Sequence, residues 1–344
     1  MNNYLNLFPL RLSTTQDFEL YNQCPYKWLK LRCEYWTQYT YNNHIEFGKE
    51  FAAALQTTRQ AYYYDLLPAK EAINLGLQQI LDTFAINFEE ANINEDLKTP
   101  SKMQEVFERY FIEYPLDQDI VPFILPNGNL SVEQSFDVEL PFIHPELGVP
   151  LIISAKPDLI GMTNRGEVVL VDEKTAGQSG LSNIVKTTDK YRVRNQFIQY
   201  VTLLNRNNLT GENKIKHVDV RRVVITKTKL NSKTGGIPKD SQVIESYKFG
   251  VDEWFQTEWW YTTLELVEEM LATYRRHTNG ATRAFQRRYG NCEQFFNPCE
   301  LTHHCSNGST QDLERMGYEQ IWRDKDTGDS MPMKAKRISL GLPI

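Results

Sequence analysis

The sequence contains no stretch approaching the roughly 18 uncharged apolar residues of a membrane span, which excludes an ordinary helical membrane protein. Residues Met1 to Ser13 lack both a basic start and a continuous apolar run, so no secretory leader is expected and the chain is read as cytoplasmic. Positive charge is not in excess either. The net charge of −6 argues against a protein that coats nucleic acid wholesale, because nonspecific phosphate binding needs clustered Lys and Arg. It leaves room for a carboxylate metal site beside a local basic channel. Cysteine is scarce: five in 344 residues are too few for a disulfide scaffold, and an odd number in a cytosolic chain points to metal binding. Internal repeats, low-complexity tracts and a clear interdomain linker are also missing.

What is present is enough apolar material for a large core, with 41% hydrophobic and 12% aromatic residues. The first third reads as helical. Thr14 and Thr15 suit a helix start with Asp17 in its first turn, and Phe18, Tyr21 and Cys24 recur on one face before Pro25 breaks the helix or opens a new one. Ile73, Leu77, Ile80, Leu81, Phe84 and Phe88 keep helical spacing, and Ser101 with Gln104 resembles a capping box. These apolar faces are expected to be core. From about Leu130 the pattern turns to strands at Val132 to Phe142, Pro150 to Gly161, Glu167 to Asp172 and His217 to Thr228. Helices are expected at Val193 to Leu204 and from about Asp252 to Arg276.

Chemistry concentrates in Lys156-Pro157-Asp158-Leu159-Ile160-Gly161, followed by Val168 to Thr175. In a strand alternate residues share a face, so Asp172 and Lys174 project together while Glu173 points the other way and is expected to matter far less. Asp158, on the neighbouring strand or its end, can complete a carboxylate pair for a hard cation such as Mg²⁺ or Mn²⁺. Such a cation lowers the pKa of a water and clamps phosphate oxygens, and the lysine orients the water or neutralises developing charge. The alternative is an ordinary exposed strand-end ion pair worth at most ~1 kcal/mol.

The pair "KPDLIG … VVLVDEKT" resembles the active-site hairpin of the PD-(D/E)XK nuclease superfamily, in the RecB-type form whose second strand reads hydrophobic-Asp-x-Lys-Thr. Gln196 and Tyr200, one helical turn apart, are similar to that branch's Q-x-x-x-Y motif, which lines the site. The resemblance implies catalytic roles for Asp158, Asp172, Lys174, Gln196 and Tyr200, with Asp158 and Asp172 as metal ligands. One part of the pattern departs: "EFGKEFAAAL" has Gly48 but Ala52 where many members carry a histidine. A second metal, and the strength of catalysis, are put in question by that change.

Cys292, Cys299 and Cys305 end the chain's cysteine pattern as C-x₆-C-x₅-C, and Cys24 stands far upstream before Pro25. Four thiolates suit either a [4Fe–4S] cluster or tetrahedral zinc. Paired C-x₂-C knuckles are absent, which leans towards iron–sulfur. The arrangement resembles the iron–sulfur variant of the RecB-type nucleases, in phage and bacterial stand-alone members, and implies a [4Fe–4S] cluster on Cys24, Cys292, Cys299 and Cys305 that staples the two ends. Cys33 has no place in that scheme and reads as core, and His303 and His304 are expected to flank the cluster.

The fold implied is α/β and restriction-endonuclease-like, a mixed central sheet flanked by helices with a helical N-terminal region and a cysteine-rich iron–sulfur end. A single elaborated domain over residues 1–310 is expected, divided into 12–125, 126–250 and 251–310, with a tail at 311–344. The activity implied is Mg²⁺- or Mn²⁺-dependent hydrolysis of DNA, single-stranded or from free ends, in recombination, repair or phage DNA processing, in a bacterial or phage-infected cytoplasm, with a recombination or helicase partner open. A catalytically weakened DNA-binding module with the same fold is the alternative, and a zinc-stapled protein without a nucleic-acid role is a third. Basic runs at Lys186 to Arg194, Lys227 to Lys239 and Arg275 to Arg288 are candidate phosphate contacts, with Tyr191 and Tyr289 able to stack on bases.

Overall fold

A computed structural model describes residues 6–38, 41–91, 98–118, 120–177, 184–225, 242–294, 297–307, 311–323 and 329–342. Two compact units emerge, residues 41–136 with 155–259, and residues 1–40 with 137–154 and 260–344. No described helix is long and apolar enough to cross a membrane.

The first unit is built on a five-stranded sheet whose spatial order follows the chain: β1 (Val121–Pro122), β2 (Leu159–Met162), β3 (Val168–Gly177), β4 (His217–Ile225) and β5 (Gln242–Gly250). It is mixed, because β3 and β4 run parallel and the other neighbours antiparallel. A parallel pair cannot be joined by a tight turn, so the chain crosses over through helical segments before β4. The central strands are covered on both faces, which explains why β3 opens on a run of Val and Leu (Val168–Val171) and β4 closes on Val223, Val224 and Ile225 rather than alternating cleanly.

On one face lie α1 (Asn43–Tyr63), α2 (Ala69–Gln79) and α3 (Pro100–Glu113), whose Phe47, Phe51, Leu55, Val106 and Phe107 pack with Val223 and Ile225 of β4. Gly76 of α2 permits the tightest crossing, since a Cβ there would come within 2.8 Å of the Ala54 carbonyl. On the other face α4 (Asn195–Arg206) sets Phe197 against Phe249 of β5, ring centroids 5.8 Å apart. The mixed α/β architecture agrees with the fold expected from sequence. The cap of α3 differs: Thr99, not Ser101, accepts a hydrogen bond from Lys102 N at 3.3 Å, because Pro100 occupies the first helical position and shifts the start upstream.

In the second unit, Arg11–Leu12 pairs in parallel with Pro150–Ala155, and Trp36–Thr37 pairs with Glu319–Arg323, so residues after 310 form regular structure here. Trp28 is fully buried, edge-on to Phe8 and Tyr21, and its indole N–H donates to Asp17. Asp17 also reaches back to the Ser13 amide at 2.9 Å, so the helix cap falls at Ser13 rather than at Thr14 or Thr15. Pro25 opens a new helix, Pro25–Trp28, with Cys24 extended before it.

Candidate active site

Strand β3 delivers Asp172 and Lys174 to the face covered by α4. Lys174 Nζ lies 2.9 Å from Asp172 Oδ1 and 2.8 Å from Oδ2, but only Oδ1 receives a hydrogen bond of suitable direction. Asp172 is completely buried and its Oδ2 has no hydrogen-bond donor. A buried carboxylate oxygen without a hydrogen bond is costly in the interior, even beside an ammonium. Asp158 sits immediately before the start of β2, where the ladder to β3 stops at Leu159 and Val171. Its Oδ2 accepts the Glu173 amide at 2.7 Å, and its carbonyl accepts the Glu133 amide at 3.0 Å.

Burial raises the pKa of both aspartates, and for Asp158 the Asp172 charge adds to the rise while Lys174 opposes it. Burial works against the Lys174 ammonium, but the Asp172 and Asp158 carboxylates outweigh it and hold the lysine protonated. Two carboxylates forced together with one lysine are an electrostatic arrangement that a further cation relieves. The donor set, two carboxylates with one buried oxygen that touches the Lys174 ammonium but receives no hydrogen bond, fits a hard oxygen-seeking cation. Among the described residues, no group of three or more His, Cys, Asp or Glu is gathered as ligands of one ion.

Gln196 and Tyr200 of α4 are hydrogen-bonded to each other at 3.1 Å. Burial first, with the Asp172 and Asp158 charges, raises the Tyr200 hydroxyl to about 12 against the pull of Gln196, so the four groups belong to one electrostatic neighbourhood. Arg194, the N-cap of α4, pulls the Asp172 pKa down and holds its guanidinium 5.5 Å from the Tyr191 ring centre. Tyr191 is buried against Phe197 and Tyr247, so the expectation that it stacks on bases is corrected: core packing consumes its faces. Tyr289 is exposed. The run Lys227 to Lys239 and the Lys186 side chain lie outside the described residues.

Glu173 does face away from Asp172 and Lys174, but into the protein. Its side chain meets Arg59 at 2.5 Å, and the pair is about as buried as Asp172. Glu173 is therefore a paired charge in the interior, a destination that strand parity alone does not specify. Glu133, whose φ of 52° is rare for a residue with a side chain, pairs with Lys156 at 3.1 Å and contributes to the raised Asp158 pKa. Neither Glu133 nor Arg59 carries a sequence signal, since nothing local links them to the hairpin. Helix α1 lies on the Glu173 face, where a Cβ at Gly48 would come 3.2 Å from Thr175 Oγ1, and Ala52 follows one turn later.

In the other unit, Cys24, Cys292, Cys299 and Cys305 line one cavity of about 300 Å³ together with Lys27, Arg287 and Arg288. Burial and the neighbouring thiols push Cys292 up; burial also raises Cys305, against the pull of Arg287. Cys33 is fully buried elsewhere in the core. His304 stacks on Tyr26 and shares a 2.8 Å hydrogen bond with its hydroxyl, and Arg287 covers the same ring at 4.5 Å.

With this geometry in place, residues 11–306 match the PD-(D/E)XK nuclease superfamily. The chain belongs to that superfamily. The match spans the hairpin, the α4 motif and all four clustered cysteines, so the nuclease reading covers most of this PD-(D/E)XK protein. Comparison with curated proteins gives no match. Among solved structures, a protein from Eubacterium rectale provisionally named an exonuclease aligns over 87% of this chain and 88% of its own, at 13% identity and a TM-score of 0.40. LHK-Exo, solved in complex with dAMP, aligns over 67% of this chain and 97% of its own, at 14% identity and a TM-score of 0.26. The assignment rests on the superfamily match and not on these likenesses.

Proposed function

We propose that this PD-(D/E)XK protein is a Mg²⁺- or Mn²⁺-dependent deoxyribonuclease that acts on free ends or single strands, in recombination, repair or phage DNA processing. The observation that carries the reading is the buried Asp172, with the half-buried Asp158 alongside it and Lys174 within hydrogen-bond reach, and with Asp172 Oδ2 receiving no hydrogen bond. Asp158 Oδ1 and Asp172 Oδ2 are the oxygens that would hold the cation, which supplies a polarised phosphate and a water of lowered pKa when bound. Lys174, kept protonated by its two neighbours, neutralises negative charge that builds on the phosphate oxygens. Tyr200 stays protonated at working pH and, fixed by Gln196, offers a neutral donor at the same place.

We also infer that the four clustered thiols hold a [4Fe–4S] group. Support comes from their shared cavity, which Lys27, Arg287 and Arg288 line with positive charge. The alternative, a weakened DNA-binding module, is favoured by Ala52 at the position of the missing histidine. One experiment separates the readings. End-labelled linear DNA and covalently closed circular DNA, single- and double-stranded, are incubated with Mg²⁺ or with chelator. Loss of linear but not circular substrate, only with metal, is expected; binding without any cleavage points to the weakened module.

A further inference from the structure

The residue between Asp172 and Lys174 is the hub of a buried polar network on the opposite face of the sheet. Glu173 Oε1 accepts from Arg59 Nη2 at 2.5 Å and from the Tyr110 hydroxyl at 2.8 Å, while Oε2 accepts from Arg59 Nη1 at 3.3 Å. The Tyr110 oxygen in turn accepts from Arg59 and from Arg221 Nη1 at 3.2 Å. Arg221 is held by Asp219 at 3.3 Å and lies 3.8 Å from the centre of the Tyr114 ring, and Asp219 accepts from Ser246 at 2.6 Å. The participants come from α1, α3, β3, β4 and β5 and from the residue just after α3. Two carboxylates face two guanidiniums, so every buried charge is compensated, the condition under which such a network rigidifies its surroundings.

The same residue reaches the catalytic face through its backbone. Its amide donates to Asp158 Oδ2 at 2.7 Å, at the point where the β2–β3 ladder has already ended. Asp158 is thus held beside Asp172 by the amide of a residue whose side chain is gripped from behind. Composition does not require this: an apolar residue at 173 keeps the amide but loses the grip.

We propose that Glu173 is a positioning residue for the carboxylate pair, transmitting the Arg59–Tyr110–Arg221 anchorage through its amide to Asp158 and leaving the second Asp158 oxygen for a cation shared with Asp172. The inference rests on the reading of Asp158 and Asp172 as metal ligands. Partners that orient ligands from behind typically change metal affinity by about 10- to 100-fold when lost, whereas a merely structural network changes stability alone.

The test uses the full chain without DNA. Mn²⁺ is titrated into metal-stripped protein while the spin-resonance signal of free Mn²⁺ is followed, and thermal unfolding is recorded without metal. Glu173→Gln is expected to weaken Mn²⁺ binding about tenfold, and Tyr110→Phe to weaken it by less. The double variant Arg59→Leu with Glu173→Leu removes both charges; it is expected to unfold at a higher temperature than Glu173→Gln yet to keep the weak Mn²⁺ binding. If Glu173→Gln does not fold, Tyr110→Phe and the double variant carry the test. Parent-like Mn²⁺ affinity in both would overturn the proposal. Asp172→Ala is measured beside them: its loss of Mn²⁺ binding supports the site, and parent-like binding there overturns the metal-site reading itself, with this inference.

Discussion

The Lys174 ammonium sits within 2.9 Å of both oxygens of Asp172, a carboxylate from which solvent is wholly excluded. Two positions apart on β3, they share a face by the parity of the strand. Burying such a pair, with Asp158 alongside, costs more than an exposed ion pair returns. Asp158→Ala, Asp172→Ala and Lys174→Ala are each expected to lower DNA cleavage by at least about a hundredfold while circular dichroism shows the fold intact. Tyr200→Phe removes one donor and should cost less than any of them.

Asp158 links acidity to stability. Its pKa lies well above the 3.8 of a free aspartate, through burial first and the Asp172 charge second. As pH rises past 3.8, the unfolded chain releases this proton before the folded one does. The metal-free protein therefore loses stability from that pH upward until the raised pKa is passed. Asp158→Asn removes the charge and keeps an oxygen for the Glu173 amide. Melting at pH 8 without metal should show the variant unfolding about 2 °C higher or more, and Mg²⁺ should stabilise the parent but not the variant.

The shared face of Asp172 and Lys174 and the pairing of Gln196 with Tyr200 on α4 were legible because strand parity and a one-turn helical spacing place them without any long-range information. Glu173 was not. Parity turns it away correctly, but whether it then meets water or Arg59, 114 residues upstream, depends on how α1 packs on the sheet. Tyr191 misled for the same reason: only the tertiary fold shows its ring enclosed by Phe197 and Tyr247. The Ser101 cap was displaced two residues upstream to Thr99 by Pro100, a local signal that the pattern of apolar residues outweighed. Glu173→Ala, which leaves Arg59 buried without its partner, should accordingly destabilise the protein by about 3 to 5 kcal/mol, read by denaturant unfolding.

The cysteines predict a colour and a stability. Joining Cys24 to Cys292 closes a loop for which the chain-entropy account gives about 5 kcal/mol. Replacing Cys24, Cys292, Cys299 or Cys305 by Ser should abolish the brown colour of anaerobically purified protein, remove iron and sulfide, and lower the unfolding temperature, whereas Cys33→Ser should leave the iron content unchanged. One zinc and no iron per chain would contradict the assignment. Tyr26 and His304, stacked and hydrogen-bonded, tie the same segments without the cluster, so some contact should survive its loss.

Affinity for single-stranded or end-bearing DNA should fall steeply with salt despite the acidic net charge, because phosphate contacts release counterions. Arg287 and Arg288 are committed to internal partners, the Tyr26 ring with the Cys305 carbonyl and the Asn22 carbonyl respectively. Their neutralisation should therefore loosen the cysteine cavity, seen as lower iron content, in addition to any loss of DNA binding. A binding constant flat between low and moderate salt would count against a basic channel.

The most direct test of the whole account is the rate at which end-labelled DNA is cleaved by purified parent protein and Asp172→Ala, each with Mg²⁺ or Mn²⁺ and with chelator. The account predicts cleavage by the parent only with metal and none above background by the variant. Cleavage by Asp172→Ala at the parent's rate would contradict it.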